Sequence, residues 1–373
     1  MSAPSCRVCA AKLDAPDFDD PGPSLTSIRT VLDLPTRVWL CENCGHAQSP
    51  DLPELSDFYD TQYRISLDID GHDQLYENAA GEQVFRTAYQ AELVAALEIT
   101  NGAKVLDFGA GKATTLQRVI ENRPDIQPHV FDVSRDYTEH WAGWVPEDQQ
   151  ATYALPDGWT DRFDLITAHF VLEHVPDPVA ILHELSRCLA PGGRLFLSVP
   201  DCGSNTGDLL VVDHLNHFTA ASLTRAFAEA GLRIDSLDQT SFAGAFIVVA
   251  TGGTPGTVPA RETDALRSVL ADWTAILHRL RTEAPTEPVA IYGAGFYGTL
   301  IATRIAGGPR CFLDRNPYLQ GHDHMGAPVL IPEDCPTDIA SIVVGLNPAR
   351  ARTILADTSA WRPADARLIW LDG

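Results

Sequence analysis

The sequence predicts an α/β chain: a doubly wound sheet, with a small four-cysteine module before it and a second α/β domain after it. Three observations carry this. Short apolar runs, Val105 and Leu106, then His129 to Asp132, then Phe163 to Ala168, alternate with helical patterns, as strands and crossover helices do in a parallel sheet. Two Cys-x-x-Cys pairs precede the first run, and Gly293-x-Gly295-x-x-Gly298 follows a further strand-like run from Pro288. The 373 residues exceed one ordinary domain, since a domain averages about 150. We expect three parts, residues 1–75, 76–255 and 256–373.

At the N-terminus, Cys6-Arg-Val-Cys9 and Cys41-Glu-Asn-Cys44 have the spacing that lets two thiolate pairs hold one tetrahedral ion, so the module is expected to bind Zn²⁺ structurally. A hairpin or loop over Leu25 to Leu34 is expected to cover the site. A redox pair is disfavoured, because it follows a strand and opens a helix, whereas these knuckles sit in polar loop sequence and run into Gly45 and His46. The acidic run Asp14, Asp17, Asp19, Asp20 disfavours a nucleic-acid ribbon. Cys188, Cys202, Cys311 and Cys335 are scattered and read as ordinary thiols.

Lys104 to Leu116, KVLDFGAGKATTL, places Asp107, Gly109 and Gly111 in the turn between a buried strand and a helix. The glycines give the backbone freedom and close approach that a nucleotide-like ligand needs. Asp132 closes the next apolar run about 20 residues later, where doubly wound folds place the acid that holds a ribose. Two acids and no third glycine argue against a phosphate ligand and for an adenosyl cofactor without phosphate, S-adenosylmethionine (SAM).

Arg162 to Asp201, RFDLITAHFVLEHVPDPVAILHELSRCLAPGGRLFLSVPD, continues with a strand from Phe163 and an amphipathic helix opened by Asp177 or Pro178 and running through Leu189. A turn at Pro191, Gly192 and Gly193 and a strand from Arg194 to Val199 follow. On these residues the chain resembles a class I SAM-dependent methyltransferase. His169, at the end of the strand, joins Asp107, Gly109, Gly111 and Asp132 as an expected cofactor residue. With the cysteine module ahead and an α/β domain behind, and with Cys41 to Arg64 matching, nearly the whole chain resembles the three-domain sugar C-methyltransferases that act on nucleotide-activated deoxysugars. Ile65 to Phe85 departs from that family's serine-rich continuation. The resemblance implies a zinc knuckle, a methyltransferase core and a Rossmann-like C-terminal domain that helps form the substrate cleft.

Pro288 to Thr299, PVAIYGAGFYGT, and the strand Cys311 to Asp314 look on paper like a dinucleotide fingerprint. The roughly 60 residues that remain allow only half of a doubly wound sheet, and we favour a packing role for Gly293, Gly295 and Gly298 over NAD binding. Thr251 to Pro259 is a Gly/Pro/Thr linker, and Arg261 to Leu280 reads as an amphipathic joining helix.

A carbon acceptor needs a base. Asp213-His214-Leu215-Asn216-His217-Phe218 resembles the family's acid-His segment, which makes His214 the expected base; its ordinary pKa of about 6.5 would leave it mostly neutral. Asp213 is expected to orient that imidazole or contact substrate hydroxyls. Glu173-His174 lies in the loop after the strand, with His174 as a second base or orienting residue. His217 stands where the family has an aromatic residue and reads as a packed histidine. Tyr59, Tyr63 and Tyr76 are candidates to donate to an enolate oxygen, Tyr63 first. The alternatives are O- or N-methylation of a small metabolite, or a non-catalytic SAM-binding scaffold.

Fifty acidic against 27 basic residues give a net charge of −23, which repels nucleic acid and anionic lipid. No apolar run in the sequence approaches the roughly 20 residues that span a bilayer, and the N-terminus lacks a signal-like apolar core. The expected partner is a small molecule, a sugar nucleotide, with no nucleic acid or membrane; the protein is expected to be cytoplasmic and a monomer or weak homo-oligomer.

Overall fold

A computed structural model describes residues 4–52, 75–77, 83–283 and 285–372. The chain divides into two compact units, one of residues 1–16, 38–208 and 213–264, the other of residues 17–37, 209–212 and 265–373.

The first unit begins with two short antiparallel strands, β1 (Thr36–Leu40) and β2 (Ala47–Gln48), paired through Trp39 with Gln48 and Leu40 with Ala47. The rest is built on α1 (Arg86–Ala95), β3 (Lys104–Phe108), α2 (Thr114–Asn122), β4 (Gln127–Asp132), β5 (Gln150–Thr152), β6 (Phe163–His169), α3 (Pro178–Cys188), β7 (Leu189–Pro200), β8 (Asn216–His217), α4 (Ala220–Glu229), β9 (Leu232–Asp238) and β10 (Ala245–Gly252). Seven of these strands form one sheet in the order β5-β4-β3-β6-β7-β10-β9, with β10 antiparallel to both neighbours. Numbered along the chain the order is 3-2-1-4-5-7-6, a doubly wound sheet that reverses between β3 and β6. Alternating side chains feed two cores. Val105, Leu165 and Phe196 point to one face, and Leu106, Ile166, Leu195 and Leu197 to the other.

Local chemistry sets the helix ends. The Asp177 carboxylate accepts from the Ala180 N–H at 2.9 Å and Pro178 opens α3, whose Leu182, Leu185 and Cys188 are buried at helical spacing. Thr219 and Ser222 form a reciprocal cap on α4. The expected turn at Pro191-Gly192-Gly193 is instead a bulge inside β7: Phe163 pairs with Leu189, but Leu165 pairs with Arg194. A side chain at Gly193 would meet the Phe163 carbonyl oxygen at 2.4 Å, so the strands approach there as only glycine allows.

The second unit contains α5 (Thr263–Thr282), β11 (Val289–Tyr292), α6 (Phe296–Ala302), β12 (Cys311–Leu313), β13 (Asp323–His324), β14 (Ala327–Leu330), β15 (Ser341–Val344), α7 (Pro348–Ile354) and β16 (Arg367–Ile369). Its sheet runs β13-β14-β12-β11-β15-β16, parallel except for β13 at the edge. The hairpin of Ser24–Leu25 with Val31–Leu32 is part of this unit, not of the unit that holds the cysteines. Asp20 fastens its segment by accepting from Arg281 at 2.5 Å and Arg304 at 2.9 Å. No helix among the described residues is long and apolar enough to cross a membrane.

Candidate active site

The carboxyl ends of β3, β4 and β6 meet where the strand order reverses, and all five expected cofactor residues stand there. Gly109 adopts φ +70° and Gly111 φ +51°, which carries the chain from β3 toward α2 through a loop that β-carbons disfavour. A β-carbon at Gly109 would lie 2.5 Å from Val171 Cγ2. Asp107 is 4% exposed and accepts from Thr167 Oγ1 at 2.8 Å; burial, with the nearby charge of Asp132 against this hydrogen bond, pushes its pKa up to about 7. Asp132 accepts the N–H of Gly111 at 2.9 Å and of Ser134 at 3.1 Å, and burial raises it also. A carboxylate has about four acceptor positions, so both acids keep capacity for a ligand. His169 Nδ1 lies 3.2 Å from Ser198 Oγ, while Nε2 is buried without a hydrogen-bond partner among the described residues. Burial holds His169 neutral, at about 3. Buried acids that are costly to ionise alone, beside an unpartnered ring nitrogen, fit a cationic adenosyl ligand such as SAM.

The candidate base lies beyond the same sheet edge. His214 Nδ1 donates to Asp208 Oδ1 at 2.5 Å, and the other oxygen of that carboxylate accepts from His217 Nδ1 at 2.8 Å. Asp213 is turned toward His174: its carbonyl accepts from His174 Nδ1 at 3.0 Å and its carboxylate lies 3.8 Å from that nitrogen. The imidazoles of His174 and His214 stand edge to face, centroids 4.8 Å apart.

Their environments drive the two histidines in opposite directions. Burial and the charge of His214 push His174 down to about 4. Burial also disfavours charge on His214, but the Asp208 carboxylate, through charge and hydrogen bond, then Asp213 and Glu173, outweigh it and raise His214 to about 9. The expectation of a mostly neutral His214 is therefore corrected: at pH 7 it carries its proton. Glu173, 1% exposed with Oε2 unpartnered among the described residues, is pushed up to about 8 by burial and stays protonated at neutral pH. His217 is fully buried with both nitrogens engaged, the second 2.9 Å from Ser49 Oγ, as a packed histidine should be. Tyr59 and Tyr63 lie outside the described residues; Tyr76 falls in the short strand Leu75–Glu77.

Sequence reasoning missed Asp208, an isolated acid ahead of the apolar run Leu209 to Val212, six residues before His214. It missed also the residues that hold the His214 segment. Arg7 Nη1 donates to the Leu215 carbonyl at 2.6 Å, and His46 Nε2 meets Asn216 Oδ1 at 3.2 Å. Asn216 Nδ2 donates to the carbonyls of Leu172 and Val175.

Cys6, Cys9, Cys41 and Cys44 come together as expected from their spacing, all four sulfurs within 4.8 Å of one another and none in a disulfide. Cys6 to Cys44 and Cys9 to Cys41 are each 3.5 Å. Tetrahedral zinc with bonds of about 2.3 Å sets sulfurs about 3.8 Å apart, so the set fits such an ion, and Asn43 Nδ2 supports Cys9 Sγ from 3.3 Å.

In the second unit, a β-carbon at Gly298 would lie 1.8 Å from the Gly293 carbonyl oxygen, and one at Gly293 2.6 Å from that of Gly345. These two glycines pack helix on strand. Gly295 faces open space. Asp314, closing β12, accepts the N–H of Ala294 at 2.7 Å and of Asn316 at 2.8 Å.

Residues 81–237 match a protein-family model described as a methyltransferase domain. A ubiquinone biosynthesis O-methyltransferase of Xanthomonas oryzae pv. oryzae (strain PXO99A) is 35% identical over 102 residues, 26% of this chain and 43% of that protein. That of Xanthomonas campestris pv. campestris (strain B100) is 33% identical over 112 residues, 29% and 47% of the two chains. The chain thus spans less than half the length of these curated relatives. Among solved structures, a methyltransferase of calicheamicin biosynthesis in its SAH-bound form is 22% identical, covering 45% of this chain and 54% of that one with a TM-score of 0.37. The sheet order, the strand-end acids around the glycine turn and the family match agree, and the middle of this chain is a class I, SAM-dependent methyltransferase domain.

Proposed function

We propose that this protein methylates a small molecule, most specifically a nucleotide-activated deoxysugar, at the carbon α to a ketone. The observation that carries this reading is the His174–His214 pair, two buried imidazoles with centroids 4.8 Å apart, His174 anchored through Nδ1 on the Asp213 carbonyl and His214 through Nδ1 on the Asp208 carboxylate, which turns His214 Nε2 away from that anchor. Carbon acceptors are the ones that need such a base. When bound, SAM supplies an electrophilic methyl group on a sulfonium; Asp107, Gly109, Gly111, Asp132 and His169 are the residues that would hold it. In its neutral form, a minority at pH 7, His214 takes the proton from the α-carbon on Nε2, leaving the C–H electron pair on the acceptor as an enolate whose carbon accepts the methyl. Glu173, kept protonated by burial, is a donor for the negative charge that develops on oxygen. His174 orients the acceptor, and Tyr63 remains a candidate second donor.

In this reading Cys6, Cys9, Cys41 and Cys44 hold a structural zinc ion, residues 1–75, 76–255 and 256–373 act as knuckle, catalytic core and Rossmann-like substrate domain, and Gly293, Gly295 and Gly298 do not serve NAD. The protein works in the cytoplasm without nucleic acid or membrane, as a monomer or weak homo-oligomer. O-methylation is the second reading, favoured by the names of the partial relatives; there His214 would deprotonate a hydroxyl.

Incubation with SAM and a panel of keto and non-keto sugar nucleotides in deuterated water, read by mass spectrometry, separates the two. The expected product is a keto sugar that gains one methyl and loses its α-hydrogen, absent with His214→Ala. Methylation of non-keto sugars, with the carbon-bound hydrogens retained, would overturn C-methylation in favour of oxygen or nitrogen. Absence of any methylated sugar would overturn the sugar acceptor.

A further inference from the structure

We propose that Asp208 is a positioning residue for this reaction: a single buried carboxylate that grips His214 and His217 by their Nδ1 atoms and thereby fixes His214 Nε2 as the nitrogen offered to the acceptor. The inference rests on the reading of His214 as the proton acceptor.

Asp208 is 2% exposed and sits on the helical turn Thr206–Leu210, where its N–H bonds the Asn205 carbonyl. Its two oxygens are divided between two rings, 2.5 Å to His214 and 2.8 Å to His217. Ser49 engages the far nitrogen of His217 at 2.9 Å. With both nitrogens committed, His217 serves as a strut that holds the carboxylate, whereas His214 keeps Nε2. A buried carboxylate accepting from only one donor would be left with an undersatisfied charge; the second histidine completes it and limits how strongly it pulls on the first. Asp208 therefore fixes the tautomer and orientation of His214 and, through the share taken by His217, the strength with which His214 holds a proton.

Among the described residues, the other titratable groups around His214 are Asp213 and Glu173, which favour its charged form, and His174 and His217. Among the described residues, Asp208 is the carboxylate hydrogen-bonded to the base. Opposite responses are expected from two substitutions. Asp208→Asn removes the negative charge, so the His214 midpoint falls from about 9 toward the ordinary histidine value of about 6.5. His217→Phe keeps the ring volume but leaves the carboxylate to His214 alone, so the midpoint rises.

The test is a ¹⁵N-histidine NMR titration of full-length protein, wild type and both variants, alongside the pH dependence of methyl transfer. The expected result is a downward shift of at least one pH unit in Asp208→Asn and an upward shift in His217→Phe, with the rate profile following each. A merely structural role would lower folded yield or move both midpoints alike. An unchanged midpoint in folded Asp208→Asn overturns the proposal. Should that variant not fold, an unchanged or lowered midpoint in His217→Phe overturns it. NMR midpoints that move as expected while the rate profile ignores them would uphold the pairing and overturn His214 as the base, so the two failures are distinguishable.

Discussion

Asp107 is costly in the empty fold, and the proposed reading gives it a use in the loaded one. Its folded pKa, about 7, lies well above the ordinary carboxylate value, so ionisation penalises the fold progressively above about pH 4, with the full penalty present above pH 7. Asp107→Asn is therefore expected to raise the thermal stability of the cofactor-free protein above pH 7 and to weaken SAM binding at least tenfold, as calorimetry would show. The opposite pattern, lost stability with unchanged affinity, would make Asp107 a structural acid. His214 gives the second prediction at this scale. With its folded value raised to about 9, the neutral base is a minority below that pH, so the rate of methyl transfer should climb about tenfold per pH unit between neutrality and its plateau. A plateau reached already near pH 7 would mean another group takes the proton.

At the scale of elements, the segment 213–217 is held in place by residues remote in sequence. Asn216, 1% exposed, bridges Leu172, Val175 and His46. Asn216→Ala leaves their polar groups unsatisfied and is expected to cost roughly 1–3 kcal/mol in denaturant titration. The cysteine knuckles reach the same segment through Arg7 on the Leu215 carbonyl and Ser49 on His217. Stripping the proposed zinc with a chelator should lower the melting temperature, slow methyl transfer and speed hydrogen exchange at the Leu215 amide, which bonds the Glu173 carbonyl. Unaltered exchange there would confine the knuckle to a local role. None of these ties is visible in the sequence: α3 could be read from Asp177 and Pro178 because helix caps are local, whereas Asn216 and Leu172 lie 44 residues apart.

For the molecule as a whole, the division into two units predicts separable stability. Gly298→Ala would press a β-carbon onto the Gly293 carbonyl oxygen, 1.8 Å away, and overpacking of this kind costs roughly 1–3 kcal/mol. The expected outcome is an earlier calorimetric transition for the second unit with SAM affinity unchanged, since the strand-end acids belong to the first. The linear order of the chain conceals this division. Residues 17–37 stand between the cysteine pairs, yet Asp20 is bound by Arg281 and Arg304, more than 250 residues on.

By itself the sequence determined what depends on neighbours along the chain: strand and helix periodicity, the caps of α3, the glycine turn after β3, the acid closing β4 and the pairing implied by two Cys-x-x-Cys knuckles. Tertiary structure alone decided which carboxylate meets which histidine. The turn at Asp213 brought that residue to His174, and the fold carried Asp208 from a separate helical turn to His214 and His217. It decided also the state of charge, because the pKa of a buried group is set by the desolvation and partners that folding brings, and neither is a property of the residue alone.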